Sequence, residues 1–145
     1  MVRRIAVVFL IASAMLSGCS ISTIVKPVEN KISEVCIKNN PAVLMDGFLP
    51  ELQAQIESHG ITTRVFDKAA PKDCHHQLLY TANWRWDFAM WLTYAEIKVF
   101  ETEDRHMVGG AIYDARDGNG RLDKFGPTAN KLKTLIDPLF GSSIN

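Results

Sequence analysis

The chain has 145 residues, 47% of them hydrophobic, with 16 basic against 16 acidic side chains and a net charge of zero. That length suits one domain around a single core. No basic excess exists to hold a nucleic acid, and no internal repeat or low-complexity stretch points to a solenoid or fibre.

Met1-Val2-Arg3-Arg4 leads into an apolar stretch from Ile5 to Leu16, broken only by Ser13. A basic start, an apolar centre of about 7–15 residues and a small-residue exit make a secretory signal. The run falls short of the ~20 apolar residues of a spanning helix. Leu16-Ser17-Gly18-Cys19 resembles the lipobox of bacterial lipoproteins. The resemblance implies that residues 1–18 are removed and that Cys19 becomes the lipidated first residue of the mature chain. An ordinary secretory signal with a cysteine near its cut site is the plainer alternative. Ser20 follows where, in the enterobacterial sorting pattern, aspartate retains a lipoprotein at the inner membrane, so the expected address is the periplasmic face of the outer membrane. Loss of Arg3 and Arg4 leaves 14 basic against 16 acidic residues. With Cys19 lipidated, Cys36 and Cys74 are left as a pair in an oxidising compartment and are expected to form a disulfide. Two buried free thiols are the alternative.

Residues 19–31 show no sustained period, contain Pro27, and are read as a tether to a domain over 32–140, with 141–145 as a tail. Ile32 to Lys38 is β-branched and partly alternating, a first strand ended by Asn39-Asn40-Pro41. Leu44, Phe48, Leu49, Leu52 and Ile56 recur at helical spacing. The regular helix should begin between Asp46 and Leu49, because Pro50 is tolerated only in a first turn. It should stop near Ser58, with Gly60 as the left-handed exit. Thr62 to Phe66 makes a second strand. Leu78, Tyr80, Ala82, Trp84 and Trp86 alternate with Thr81, Asn83, Arg85 and Asp87, the pattern of a half-buried strand. After a tight connection at Phe88-Ala89, a second strand carries Trp91, Thr93, Ala95, Ile97 and Val99 on one face. Met107 to Ala115 completes a meander, and Gly109-Gly110 within it marks a bulge or the close approach of another backbone. Pro127 and Thr128 open a last helix with Ala129, Leu132, Leu135, Ile136 and Leu139 on one side, ended or kinked at Pro138. The order β-α-β, three-stranded antiparallel meander and closing helix predicts a two-layer α+β domain with both helices on one sheet face.

The lipobox, the early Cys-Ile, Gly60-Ile61-Thr62-Thr63-Arg64-Val65, Tyr80 to Asp87 and Lys124 to Lys131 together resemble a family of small proteobacterial lipoproteins. The resemblance implies an envelope address and no activity. More loosely, the element order is similar to that of small lipoprotein domains in outer-membrane assembly and transport systems.

Candidate chemistry is thin. Cys74-His75-His76 suggests a metal or redox site, but neighbours on a strand point to opposite faces, and His59 or His106 supplies no recognisable third-ligand spacing. Asp117-Gly118-Asn119-Gly120-Arg121 starts like a calcium loop, yet Arg121 stands at position five and no glutamate at twelve. Gly-rich phosphate loops and nucleophile elbows do not occur. No catalytic residue, metal site or cofactor is expected.

The cluster Tyr80, Trp84, Trp86, Trp91 and Tyr94 reads either as a binding platform or as core. Trp84 and Trp86 are expected as a floor beneath the helices, since each large aromatic can bury ~150–250 Å². Arg85 and Asp87 on the opposite parity, together with Trp91 near the strand start, are the candidate partner-binding residues. The preferred function is a non-enzymatic, membrane-tethered module that binds an envelope protein or helps to organise the envelope. The alternative is a small envelope enzyme or ligand-binding lipoprotein acting on cell-wall or lipid material. Oligomeric state is open.

Overall fold

The computed structural model describes residues 20–141, so the signal segment, Cys19 and residues 142–145 lie outside the described residues. Six strands form one mixed sheet: β1 (Ser22–Lys26), β2 (Glu34–Lys38), β3 (Thr62–Phe66), β4 (His76–Asp87), β5 (Ala89–Glu101) and β6 (Met107–Asp114). Two helices, α1 (Phe48–Glu57) and α2 (Thr128–Phe140), complete the α+β architecture. The spatial order is β1-β6-β5-β4-β2-β3. β2 pairs in parallel with β3 and β4, and the other neighbours are antiparallel.

The sequence explains this order. β2 and β3 are joined through α1, the crossover that parallel neighbours require. β4, β5 and β6 follow one another through short turns and zip up antiparallel. Leu78, Tyr80 and Ala82 of β4, Ala95, Ile97 and Val99 of β5, and Ala111 and Tyr113 of β6 point into the core. Phe48, Leu52 and Ile56 of α1 meet them, as do Leu132, Leu135, Ile136 and Leu139 of α2. The helices touch each other, with α1 also against β3 and α2 against β6 and β1. Cys36 and Cys74 are joined in a disulfide, Cα–Cα 6.3 Å, tying β2 to the segment that enters β4.

The stretch expected to be a tether is built into the sheet instead. Ser22 to Lys26 pairs along β6, and the segment after Pro27 stays attached: the Val28 N–H donates to the Leu139 carbonyl (2.9 Å) and Glu29 N–H to that of Val108 (3.2 Å). Its residues are largely exposed, because β1 is an edge strand held by backbone bonds, which leave no hydrophobic period to read. The diglycine of β6 permits a close backbone approach at Gly109, and the bulge expected there falls one residue earlier, at Val108. Pairing shifts register between Val99 and Phe100, and a Cβ on Gly109 would lie 2.8 Å from Val28 Cγ2 and 3.0 Å from its Cα. Pro138 does not end α2, which runs on to Phe140. Only two residues of the helix follow the proline, so the backbone bond it forfeits and the crowding of its ring against the Thr134 carbonyl fall in the final turn.

Candidate docking site at the hairpin tip

β4 and β5 outrun the helix layer. Ten residues of α1 span ~15 Å, whereas twelve residues of β4 span ~40 Å. Phe48, at the start of α1, covers Tyr80 (ring centroids 5.6 Å apart) and meets Trp84 edge-on (5.4 Å). The cover stops there. The parity argument therefore holds for Trp84, which is partly buried against the core, and fails for Trp86, which is 73% exposed. Trp86 sits directly opposite Met90, 48% exposed, and the apex residue Phe88 is 93% exposed. Phe88 also has φ 59°, the left-handed region that suits Gly or Asn better than a bulky side chain. Three apolar side chains thus crown a turn containing none of the Gly, Asn or Pro that usually makes one.

A bulge separates this tip from the regular sheet. The register slips between Asn83 and Trp84. Thr93 is the additional residue on β5: its hydroxyl donates to the Asn83 carbonyl (3.0 Å), and its own carbonyl accepts from the Ala115 N–H (2.8 Å). Alternation lapses at such a point, and Trp91, Leu92 and Thr93 are buried in succession.

The loop after β6 packs onto the hairpin base through a 3₁₀ turn, Asp123–Phe125. Buried Lys124 places its ammonium 4.8 Å from the Trp91 ring centroid and 4.9 Å from that of Phe125, and donates to the Asp87 carboxylate at 2.5 Å. Lys131 donates in turn to the Lys124 carbonyl, and burial holds its amine below the ordinary lysine range. Of the three candidate binding residues, Asp87 and Trp91 are gathered around Lys124, with Trp91 3% exposed, while Arg85 stands in solvent. The same loop presents Leu122, 84% exposed. Both of its arginines are paired. Arg116 grips Asp114 and Arg121 grips Asp123, and each guanidinium pulls its carboxyl below the usual range.

At the far end of the hairpin lies a shallow cavity of about 420 Å³ lined by Lys38, Gln77, Leu79, Phe100, Glu101, Thr102 and Arg105. Nearby His76 is held below its ordinary value chiefly by burial. Among the described residues no group of three or more His, Cys, Asp or Glu is placed to hold a metal ion, and no helix is long and apolar enough to cross a membrane. Asp117 to Arg121 is a turn, with the Arg121 N–H donating to the Gly118 carbonyl (3.1 Å). Phe88, Met90, Leu122 and Lys124 escaped the sequence reading. The available signal was Trp86-Asp87-Phe88-Ala89-Met90, a turn built from large apolar residues.

No protein-family model matches the chain, and no curated protein is significantly similar to it in sequence. Solved structures do share the fold. The PelC dodecamer of Paraburkholderia phytofirmans superposes with a TM-score of 0.54 at 10% identity, covering 83% of this chain and 95% of PelC. A single-residue variant of that dodecamer gives the same TM-score and identity over 81% and 92% of the two chains. The fold of this chain therefore resembles that of PelC, and its disulfide indicates an extracytoplasmic location.

Proposed function

We propose that this chain is a lipoprotein anchored through Cys19 to the periplasmic face of the outer membrane, cleaved after Gly18, and acting without catalysis as an organising module of the envelope. The observation that carries the reading is the Cys36–Cys74 disulfide within a fold shared with PelC. The lipobox adds the anchor, and the similarity to the family of small proteobacterial lipoproteins agrees with it. PelC is a dodecamer, and self-association is accordingly the first partnership to test here. Among the described residues β1 and β3 are the two edges, on opposite sides of one sheet, a geometry suited to head-to-tail contact. The competing reading, a ligand-binding envelope protein, would use the cavity beside Lys38 and Arg105.

The test is expression of the full chain with and without Cys19→Ala. The parent should need detergent for extraction and incorporate labelled fatty acid, and the variant should do neither. Light scattering of the extracted parent should give a particle of several protomers. A variant still processed and membrane-bound would refute the anchor, and a monomer at all concentrations would refute the assembly.

A further inference from the structure

The geometry points to the β4–β5 hairpin tip as a membrane-docking element whose occupant is the lipid bilayer that holds the anchor; the inference rests on the lipoprotein reading above. Two independent features meet at one end of the sheet. Ser22 lies opposite Asp114, and Asp114 lies opposite Tyr94. β1 thus begins on the side toward which β4 and β5 project. Cys19 precedes Ser22 by three residues and can reach at most ~10 Å beyond it. The hairpin extends from Tyr94 to Phe88, six residues or ~20 Å past the same row. A bilayer that receives the acyl chains at Cys19 meets the hairpin tip as well. The difference of ~10 Å matches the depth of ~5–10 Å to which interfacial apolar groups sink among headgroups.

The side chains fit that depth. Phe88 leads, Trp86 and Met90 flank it as a cross-strand pair, and Leu122 stands exposed on the loop that Lys124 pins to the hairpin base. Tryptophan favours the membrane–water interface, where an apolar ring and an N–H donor are both accommodated. Exposed Arg85 is placed one residue behind Trp86, where a guanidinium can meet lipid phosphates. The Asp87 carboxylate, the nearest negative charge in sequence to the apex, is paired with Lys124 and does not oppose entry. The left-handed Phe88 is costly for the fold and has no partner in the core, which fits a side chain kept for contact outside the molecule.

Acyl chains on Cys19 suffice to hold the chain at the bilayer, whereas a small apolar tip alone binds weakly; joined in one molecule, the tip's contact becomes intramolecular. The lipid would hold the protein at the membrane, and the tip would fix which way it faces.

The experiment uses the full chain, extracted and reconstituted into bilayer nanodiscs whose phospholipids carry bromine on the acyl chains. The mass of the purified chain first reports the lipid on Cys19, testing the anchor separately. Bromine quenches an indole on contact, so parent emission should fall in brominated relative to plain discs, and Trp86→Phe should abolish most of that fall. Phe88→Gly should weaken it while leaving the melting temperature intact or raised, which excludes misfolding as the cause. Should the chain carry no lipid, the same proteins are mixed with brominated vesicles. Trp86→Ala and Phe88→Gly should then each reduce partitioning by roughly 10- to 100-fold, the effect of losing one large buried side chain. Equal emission in brominated and plain bilayers would overturn the proposal. So would quenching that persists in Trp86→Phe. A blue-shifted Trp86 emission without bromine quenching would show that protein covers the tip, whether a second copy or another partner, and would overturn it equally.

Discussion

At the residue scale, Trp84 and Trp86 share a parity and differ in fate. Trp84→Ala removes a ring packed on Phe48 and should cost about 2–4 kcal/mol, somewhat under the fully buried case. Trp86→Ala removes an exposed ring and should stay within about 0.5 kcal/mol; thermal unfolding of the two variants separates them. Phe88→Gly should stabilise the isolated protein by up to about 1 kcal/mol, because glycine adopts a positive φ freely. A gain in melting temperature at that apex would mark phenylalanine as retained against stability. His76 gives the pH response. Its folded form resists protonation because it is buried, so below the ordinary value of 6.5 the unfolded chain binds more protons. Stability from this group therefore rises with pH through the window beneath 6.5 and levels off above it. Melting temperatures across that window should climb in the parent and climb less in His76→Gln.

At the element scale, much of the architecture was legible and the failures have physical causes. α1 announces itself by Phe48, Leu52 and Ile56 on one face, because it buries a periodic side-chain set against the core. β3, none of whose residues is fully buried, is legible by its β-branched and aromatic composition. β1 carries no such set, and its pairing with β6 is a backbone affair that side chains do not report. Trp86 belongs to a correctly read strand, yet its burial depended on how far α1 reaches, a tertiary length invisible to local period. Lys124 was missed for a similar reason: only the folded loop brings it over Trp91 and against Asp87. The diglycine was legible in kind, and it makes a further prediction. Gly109→Val would drive a branched side chain into Val28. It should lower stability by about 1–3 kcal/mol through overpacking, with hydrogen exchange accelerating first in β1.

At the scale of the whole molecule, the disulfide ties the β2-α1-β3 half to the meander across a sequence separation of 38 residues. Closing a loop of that size contributes about 4 kcal/mol in the chain-entropy account. A paired Cys36→Ala, Cys74→Ala variant should therefore unfold at markedly lower denaturant concentration than the parent, a shift read by urea titration. The edge strand has a mechanical consequence as well. β1 runs along the sheet with its first residue at the hairpin end, and its backbone bonds to β6 lie across that direction. A pull on the N-terminus toward that end would load the whole β1–β6 ladder in shear, all rungs sharing the force, instead of unzipping them one at a time. Tension arriving through the N-terminus would thus meet the strand in the orientation in which a short ladder resists longest.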